Sequence, residues 1–128
     1  MKKLDEIKHV FEQVGGVRLA YLFGSQASGQ TGPLSDYDFA VYLGGKDRKK
    51  NFEKKIEIQN KISQVLKTNN VDVAVLNEID EPEFKYSVIT EGKLIFEKEP
   101  YKMLVEPAIL NQYFDFHESL RKYNLTSA

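Results

Sequence analysis

The chain has no cysteine, which excludes disulfides, cysteine-ligated zinc and thiol catalysis. Histidine is scarce: His9 and His117 stand far apart in separate helical stretches, which argues against a histidine-rich metal site. No apolar run approaches the ~20 residues that a membrane-spanning helix needs. The opening MKKLDEIKHVFEQV has helical spacing but no continuous apolar stretch, so it reads as a helix and not as a secretion signal. A basic excess is also missing. Lys and Arg number 18 against 19 Asp and Glu, for a net charge of −1, whereas a general nucleic-acid binder carries surplus positive charge. Direct nucleic-acid binding and membrane association are therefore not expected, and a cytoplasmic location is the default. A metal bound by such a chain would be a hard cation held by carboxylates.

What is present fits one globular domain over residues 1–128, large enough to bury a core without cross-links. Leu4, Ile7, Phe11 and Val14 recur at helical spacing, and Gly15-Gly16 ends that helix. VRLAYLF (17–23) reads as a strand. Gly24, Gly29, Gly32 and Pro33 make 24–35 a loop, with room for one short helical turn after Gly24. SDYDFAVYL (35–43) is a second strand. A helix is predicted over 47–68 with Phe52, Ile56, Ile62 and Val65/Leu66 inward, then a third strand, VDVAVL (71–76). Asp80 or Glu81 caps the next helix, with Pro82 in its first turn and Gly92 at its end. KLIFE (93–97) is a fourth strand. Residues 101–123 are helical in pattern through Leu104, Leu110, Phe114 and Leu120, and Pro107 is expected to kink or restart that helix. The order α-β-β-α-β-α-β-α predicts an α+β fold, a small mixed sheet with helices packed on it.

One strand carries an expensive feature. Side chains alternate along a strand, so Asp36 and Asp38 share a face with Ala40 and Tyr42, opposite the core-like Tyr37, Phe39, Val41 and Leu43. Like charges two residues apart repel, and burial adds desolvation; a divalent cation removes both penalties. The first two strands are joined without a full helix, which favours an antiparallel pair and brings Gly24-Ser25 beside Asp36 and Asp38. The second and third are joined through a long helix, which favours a parallel right-handed crossover and brings Asp72 alongside. Gly24 permits close approach of a ligand, and Ser25 offers a hydroxyl and an N–H where phosphate can bind. Phosphate donors beside carboxylate-bound divalent metal point to phosphoryl or nucleotidyl transfer. A P-loop is excluded, because Gln30 stands where G-x-x-x-x-G-K-[ST] needs lysine. A G-x-S-x-G nucleophile elbow is excluded too, since GSQAS ends in serine.

Gly24-Ser25, ten residues, then Asp36-Tyr37-Asp38 resembles the signature of the polymerase-β-type nucleotidyltransferases. The fuller string Gly24, Ser25, Ala27, Gly29, Ser35, Asp36, Asp38 is similar to their minimal branch, the MNT proteins. VDVAVLNEIDEPEFKYSVITEGKLIFEKEP resembles that branch's second half, and the likeness spans about 17–100. The resemblance implies that Gly24 and Ser25 hold the phosphates of ATP, with Ser35 in the nucleotide-binding set. It implies that Asp36 and Asp38 ligate two Mg²⁺ ions, and that Asp72 ligates the catalytic ion and helps deprotonate the acceptor hydroxyl. It further implies an antitoxin paired with a HEPN-domain toxin RNase, since MntA-like members move AMP onto a toxin tyrosine (a type VII-like pair). Ser28 stands where many members have arginine.

Plainer readings stand beside these. A lone Asp-x-Asp is usually a turn or surface pair, and Asp72 alone is a residue at a solvated strand entry. Gly29 and Gly32 serve as turn residues, and Ser35 could do the same. The run KDRKKNFEKK (46–55), with six basic and two acidic residues, is a solvated helix face or a contact with nucleotide, RNA or an acidic partner. Tyr113, Phe114 and Phe116 are helix packing or, where exposed, a partner surface. Two functional alternatives remain: a non-catalytic antitoxin that neutralises its toxin by binding, and nucleotidyl transfer to a small molecule such as an antibiotic.

Overall fold

The computed structural model of the chain describes residues 2–24 and 37–123. Its elements are α1 (Lys2–Val14), β1 (Val17–Phe23), β2 (Tyr37–Leu43), α2 (Arg48–Leu66), β3 (Val71–Val75), a 3-10 turn (Leu76–Glu78), α3 (Pro82–Glu91), β4 (Lys93–Glu97) and α4 (Tyr101–Lys122). The strands form one mixed sheet in the order β3-β2-β1-β4. β1 runs antiparallel to both its neighbours, and β2 runs parallel to β3. The expected α+β architecture is the observed one.

Both faces of the sheet are covered. On one, Ile7, Val10 and Phe11 of α1 and Ile58 and Ile62 of α2 pack on Phe39, Val41, Leu43, Val71, Val73 and Val75. On the other, Val88 of α3 and Val105 and Ile109 of α4 pack on Leu19, Tyr21 and Ala40. Period-two alternation is what sends odd-numbered β2 residues to the first layer and even-numbered ones to the second. Asp38 lies in this second set, and Asp72 and Ala74 likewise alternate with the buried valines of β3.

Three helix details differ from the sequence expectation. In α2 the buried positions are Asn51, Ile58 and Ile62, while Phe52 and Ile56 are exposed. Counting apolar residues alone hides the true stripe, because one of its places is taken by a buried asparagine. That residue is accommodated through its Nδ2, which donates to the Gly45 carbonyl at 3.1 Å and to Glu78 Oε2 at 2.9 Å. In α4, Val105 and Ile109 face inward, whereas Leu104 and Phe114 are exposed. Pro107 lies inside α4 without restarting it. Packing of the buried Val105 and Ile109 on either side of Pro107 offsets the lost backbone hydrogen bond.

Side chains also close backbone ends. Asp47 caps α2 by accepting from the Lys49 and Lys50 N–H groups. Asn77 accepts from the Leu43 N–H at 3.1 Å and donates to the Leu43 carbonyl at 3.0 Å. α3 begins at Pro82 and stops at Gly92 as expected. There a Cβ would sit 2.5 Å from the Val88 carbonyl oxygen, so close approach demands the glycine. No described helix is long and apolar enough to cross a membrane.

Tyr21 ties the second layer together. Its ring is 1% exposed, and its hydroxyl donates to Glu106 Oε2 at 2.6 Å. Burial, then the hydrogen bond to Glu106, hold the phenol well above its usual range. The unfolded chain releases this proton near pH 10 while the folded chain keeps it, so stability contributed by Tyr21 is present below about pH 10 and declines above it. In urea denaturation, wild type should lose stability between pH 9.5 and about 11 more steeply than Tyr21→Phe. Tyr21→Phe should cost about 1–2 kcal/mol at pH 7 through the lost hydrogen bond. Parallel pH slopes for the two proteins would contradict the assignment.

Candidate active site

Asp38 is the second residue of β2, and Asp72 is the second of β3. Because these strands are parallel, the two carboxylates come into direct register and project from the same face of the sheet. Asp38 is half-buried and Asp72 is exposed. On the other side of β2, Phe23 is the cross-strand partner of Asp38. Like charges facing each other across strands are destabilising by roughly 0.2–1 kcal/mol, and partial burial adds to that.

Gly24 follows Phe23 and is pressed against this pair. Its φ is +82°, and a Cβ there would lie 2.7 Å from Asp38 Oδ2. Two independent reasons thus require glycine: the left-handed backbone and the carboxylate where a side chain would be. Across the sheet the order is Gly24 at the end of β1, Asp38 on β2, and Asp72 on β3.

Asp72 also lines a cleft of about 450 Å³ together with Phe23, Ala74, Glu78, Phe52 and Lys55. Phe52 and Lys55 come from α2, one turn apart. Sequence reasoning placed Phe52 in the core and treated Lys55 as one of a basic run. The signal that separates them from their neighbours is their common face on α2, visible only once Asn51 is known to point inward.

The structure brings Gly24, Asp38 and Asp72 together. Asp36, Ser25, Ser35 and Ser28 lie outside the described residues. Among the described residues no group of three or more acidic, histidine or cysteine side chains is placed to hold a metal ion. The two that are opposed nonetheless fit a hard divalent cation: both are oxygen donors, and they share a face in register.

Residues 5–101 of the 128 match the sequence model of the polymerase-β nucleotidyltransferase family. The chain belongs to this family. No curated protein sequence matches it. Solved structures share its fold. One is an MntA–HpeT toxin–antitoxin mutant in which two aspartates, two residues apart, are replaced by glutamate, with TM-score 0.77 and 20% identity over 94% of each chain. Another is a toxin–antitoxin structure with AMP-PNP, with TM-score 0.76 and 21% identity over 94% of each chain. A third is the tri-AMPylated HEPN toxin of Shewanella oneidensis in complex with its MNT antitoxin, with TM-score 0.71 and 19% identity over 95% of this chain and 92% of that one. This polymerase-β-type fold brings Gly24, Asp38 and Asp72 to adjacent positions across three strands.

The Gly24–Asp38 contact gives a test. Gly24→Ala should destabilise the chain by about 1–2 kcal/mol from the left-handed backbone alone, with a further penalty from the Asp38 carboxylate. Chemical denaturation of Gly24→Ala, Asp38→Ala and the double variant should show that the Gly24→Ala penalty shrinks when Asp38 is truncated. Strict additivity would contradict the close approach.

Proposed function

We propose that the chain is a Mg²⁺-dependent nucleotidyltransferase that moves AMP from ATP onto a protein hydroxyl, a tyrosine of a HEPN toxin, and so serves as the antitoxin of a toxin–antitoxin pair. The observation that carries this reading is the register pair Asp38 and Asp72 with Gly24 closed against it, inside a polymerase-β nucleotidyltransferase domain. The acceptor class is supported by the fold shared with structures of a HEPN toxin in its tri-AMPylated form and of a toxin–antitoxin with AMP-PNP. A cytoplasmic setting, where ATP is available, goes with it.

In this reading Gly24 and Ser25 hold the triphosphate, and Ser35 supports the nucleotide side. Asp36 and Asp38 hold two Mg²⁺ ions, with Asp72 as a further ligand of one. When bound, Mg²⁺ supplies charge neutralisation at the phosphates and increases the acidity of the acceptor hydroxyl. The acceptor oxygen forms a bond to the α-phosphorus of ATP. The bond from that phosphorus to the oxygen bridging to the β-phosphate breaks, pyrophosphate leaves, and the hydroxyl proton passes to the Asp72 carboxylate. Asp72 is exposed beside its cleft, so an acceptor can reach it and its proton can return to water.

A second reading, neutralisation by binding alone, draws support from the exposed Met103, Leu104, Phe114 and Tyr123 on and just beyond α4, side chains suited to a protein interface. The two readings separate in one experiment. The chain and a co-expressed HEPN toxin are incubated with Mg²⁺ and ATP labelled at either the α- or the γ-phosphate. Label should reach the toxin from the α-position only, and Asp38→Asn should lower the rate by roughly 100-fold or more, the loss of several kcal/mol of transition-state stabilisation. Transfer from the γ-position would overturn nucleotidyl transfer. Full neutralisation by Asp38→Asn without labelling would establish the binding reading.

Metal removal gives a second check. In chelator, Asp72→Asn should melt at the wild-type temperature or above it, because one of two facing charges is gone. Adding Mg²⁺ and nucleotide should raise the wild-type melting temperature and raise that of Asp72→Asn less. A chelated Asp72→Asn protein that melts well below wild type would show that Asp72 has a structural partner instead.

A further inference from the structure

The cleft beside Asp72 reaches from Phe23 at the end of β1 to Phe52 and Lys55 of α2. Gly24 closes one side of Asp38 from β1, and Asp72 flanks the other from β3. β3 is an edge strand, with no strand beyond it among the described residues. In the nucleotidyl-transfer reading a nucleotide at Gly24 takes the Phe23 end of the cleft, which leaves the Phe52 and Lys55 end, beside the β3 edge, for the second substrate.

That side has the features of a peptide groove. The Tyr37 N–H donates to the Asn70 carbonyl at 2.9 Å, which places Asn70, and two residues on Asp72, with their backbone groups toward β2. Backbone groups alternate in direction along a strand, so Val73 turns its N–H and C=O outward, to the open edge. Beside that edge the cleft is walled by Phe52 and Lys55 from α2. Phe52 is 58% exposed, a large ring on a helix whose buried stripe lies elsewhere. Strand edges with open main-chain groups bind extended peptides by adding a strand, with nearby pockets taking alternate side chains.

We propose that Phe52 and Lys55, with the free edge of β3, form the acceptor groove: they bind an extended segment of the partner protein and bring its hydroxyl to Asp72. Phe52 packs an apolar side chain of that segment. Lys55 offers N–H donors to the segment's carbonyl oxygens in a cleft otherwise edged by Asp72 and Glu78. This rests on the nucleotidyl-transfer reading for the identity of the reaction, but not for the existence of the groove. Both residues are positioning residues for the acceptor and have no part in holding ATP.

The test uses the full chain with a HEPN toxin purified from co-expression. Phe52→Ala and Lys55→Gln should each raise KM for the toxin by about tenfold, the usual effect of truncating a side chain at the centre of an interface. KM for ATP should stay within about twofold of wild type and the melting temperature should be unchanged, since neither side chain belongs to the core. Lys55→Arg should restore most of the loss. A raised KM for ATP with an unchanged KM for toxin would overturn the assignment, and so would no change in either. In parallel, p-benzoylphenylalanine in place of Phe52 should crosslink to the toxin segment that carries the modified hydroxyl. If wild type transfers no label at all, the catalytic reading fails by itself. The groove is then decided by the crosslink and by weaker toxin binding of the Phe52→Ala chain: a mapped crosslink with weakened binding supports it, and failure of either overturns it.

Discussion

Two carboxylates held opposite each other on neighbouring strands are the constraint around which the sheet is arranged. Asp38 facing Asp72 places like charges at cross-strand distance, which by itself raises the energy of the sheet. The surrounding structure compensates by overdetermining their positions. Valines and Phe39 anchor the opposite face of both strands in the first core layer, so neither strand can rotate its acid away without exposing that layer. Gly24 then fills the side of Asp38 with backbone instead of a side chain. Tolerated local strain of this kind, supported by rigid packing elsewhere, is the usual physical mark of a site kept for its chemistry.

Much of this was legible in the sequence because it depends on alternation and on connection lengths. The short link between β1 and β2 and the helical link between β2 and β3 dictate antiparallel and parallel pairing respectively, and these two pairings suffice to bring Gly24, Asp38 and Asp72 together. Gly92 and Pro82 likewise marked the ends of α3. The inward face of α2 was not legible, because the buried Asn51 is satisfied by the Gly45 carbonyl before the helix and by Glu78, 27 residues away, contacts that hydrophobic spacing does not report. A hydrophobic count assigns that place to Phe52, and with it loses an exposed ring that lines the Asp72 cleft. The same limit applies to α4, where Val105 and Ile109 pack inward and Leu104 does not. Pro107 suggested a break that tertiary packing overrides.

The second layer divides into a sealed part and an open part. Near the sheet, Tyr21 and Glu106 are joined by a short hydrogen bond beneath α4. Further along, Tyr113 stacks on Tyr86 with ring centroids 3.7 Å apart, which fastens α4 to α3, and Phe114 next to it remains exposed. The aromatic residues of the last helix therefore serve both readings given to them from sequence: Tyr113 is helix packing, and Phe114 is surface. A helix pinned at two levels gives a firm platform, so a partner that touches Phe114 meets a surface already ordered and need not pay for ordering it.

Asn77 has a consequence beyond satisfying Leu43. Its amide supplies both a donor and an acceptor to the last residue of β2, in the manner of one more residue of the neighbouring strand. At the other end the Asn70 carbonyl holds the Tyr37 N–H. An edge strand fastened at only one end could slide by a residue, and a single step would carry Asp72 through to the opposite face and put a valine in its place. With a catch at each end, sliding must break both at once. The spacing between the two carboxylates is thereby set by an amide that touches neither of them.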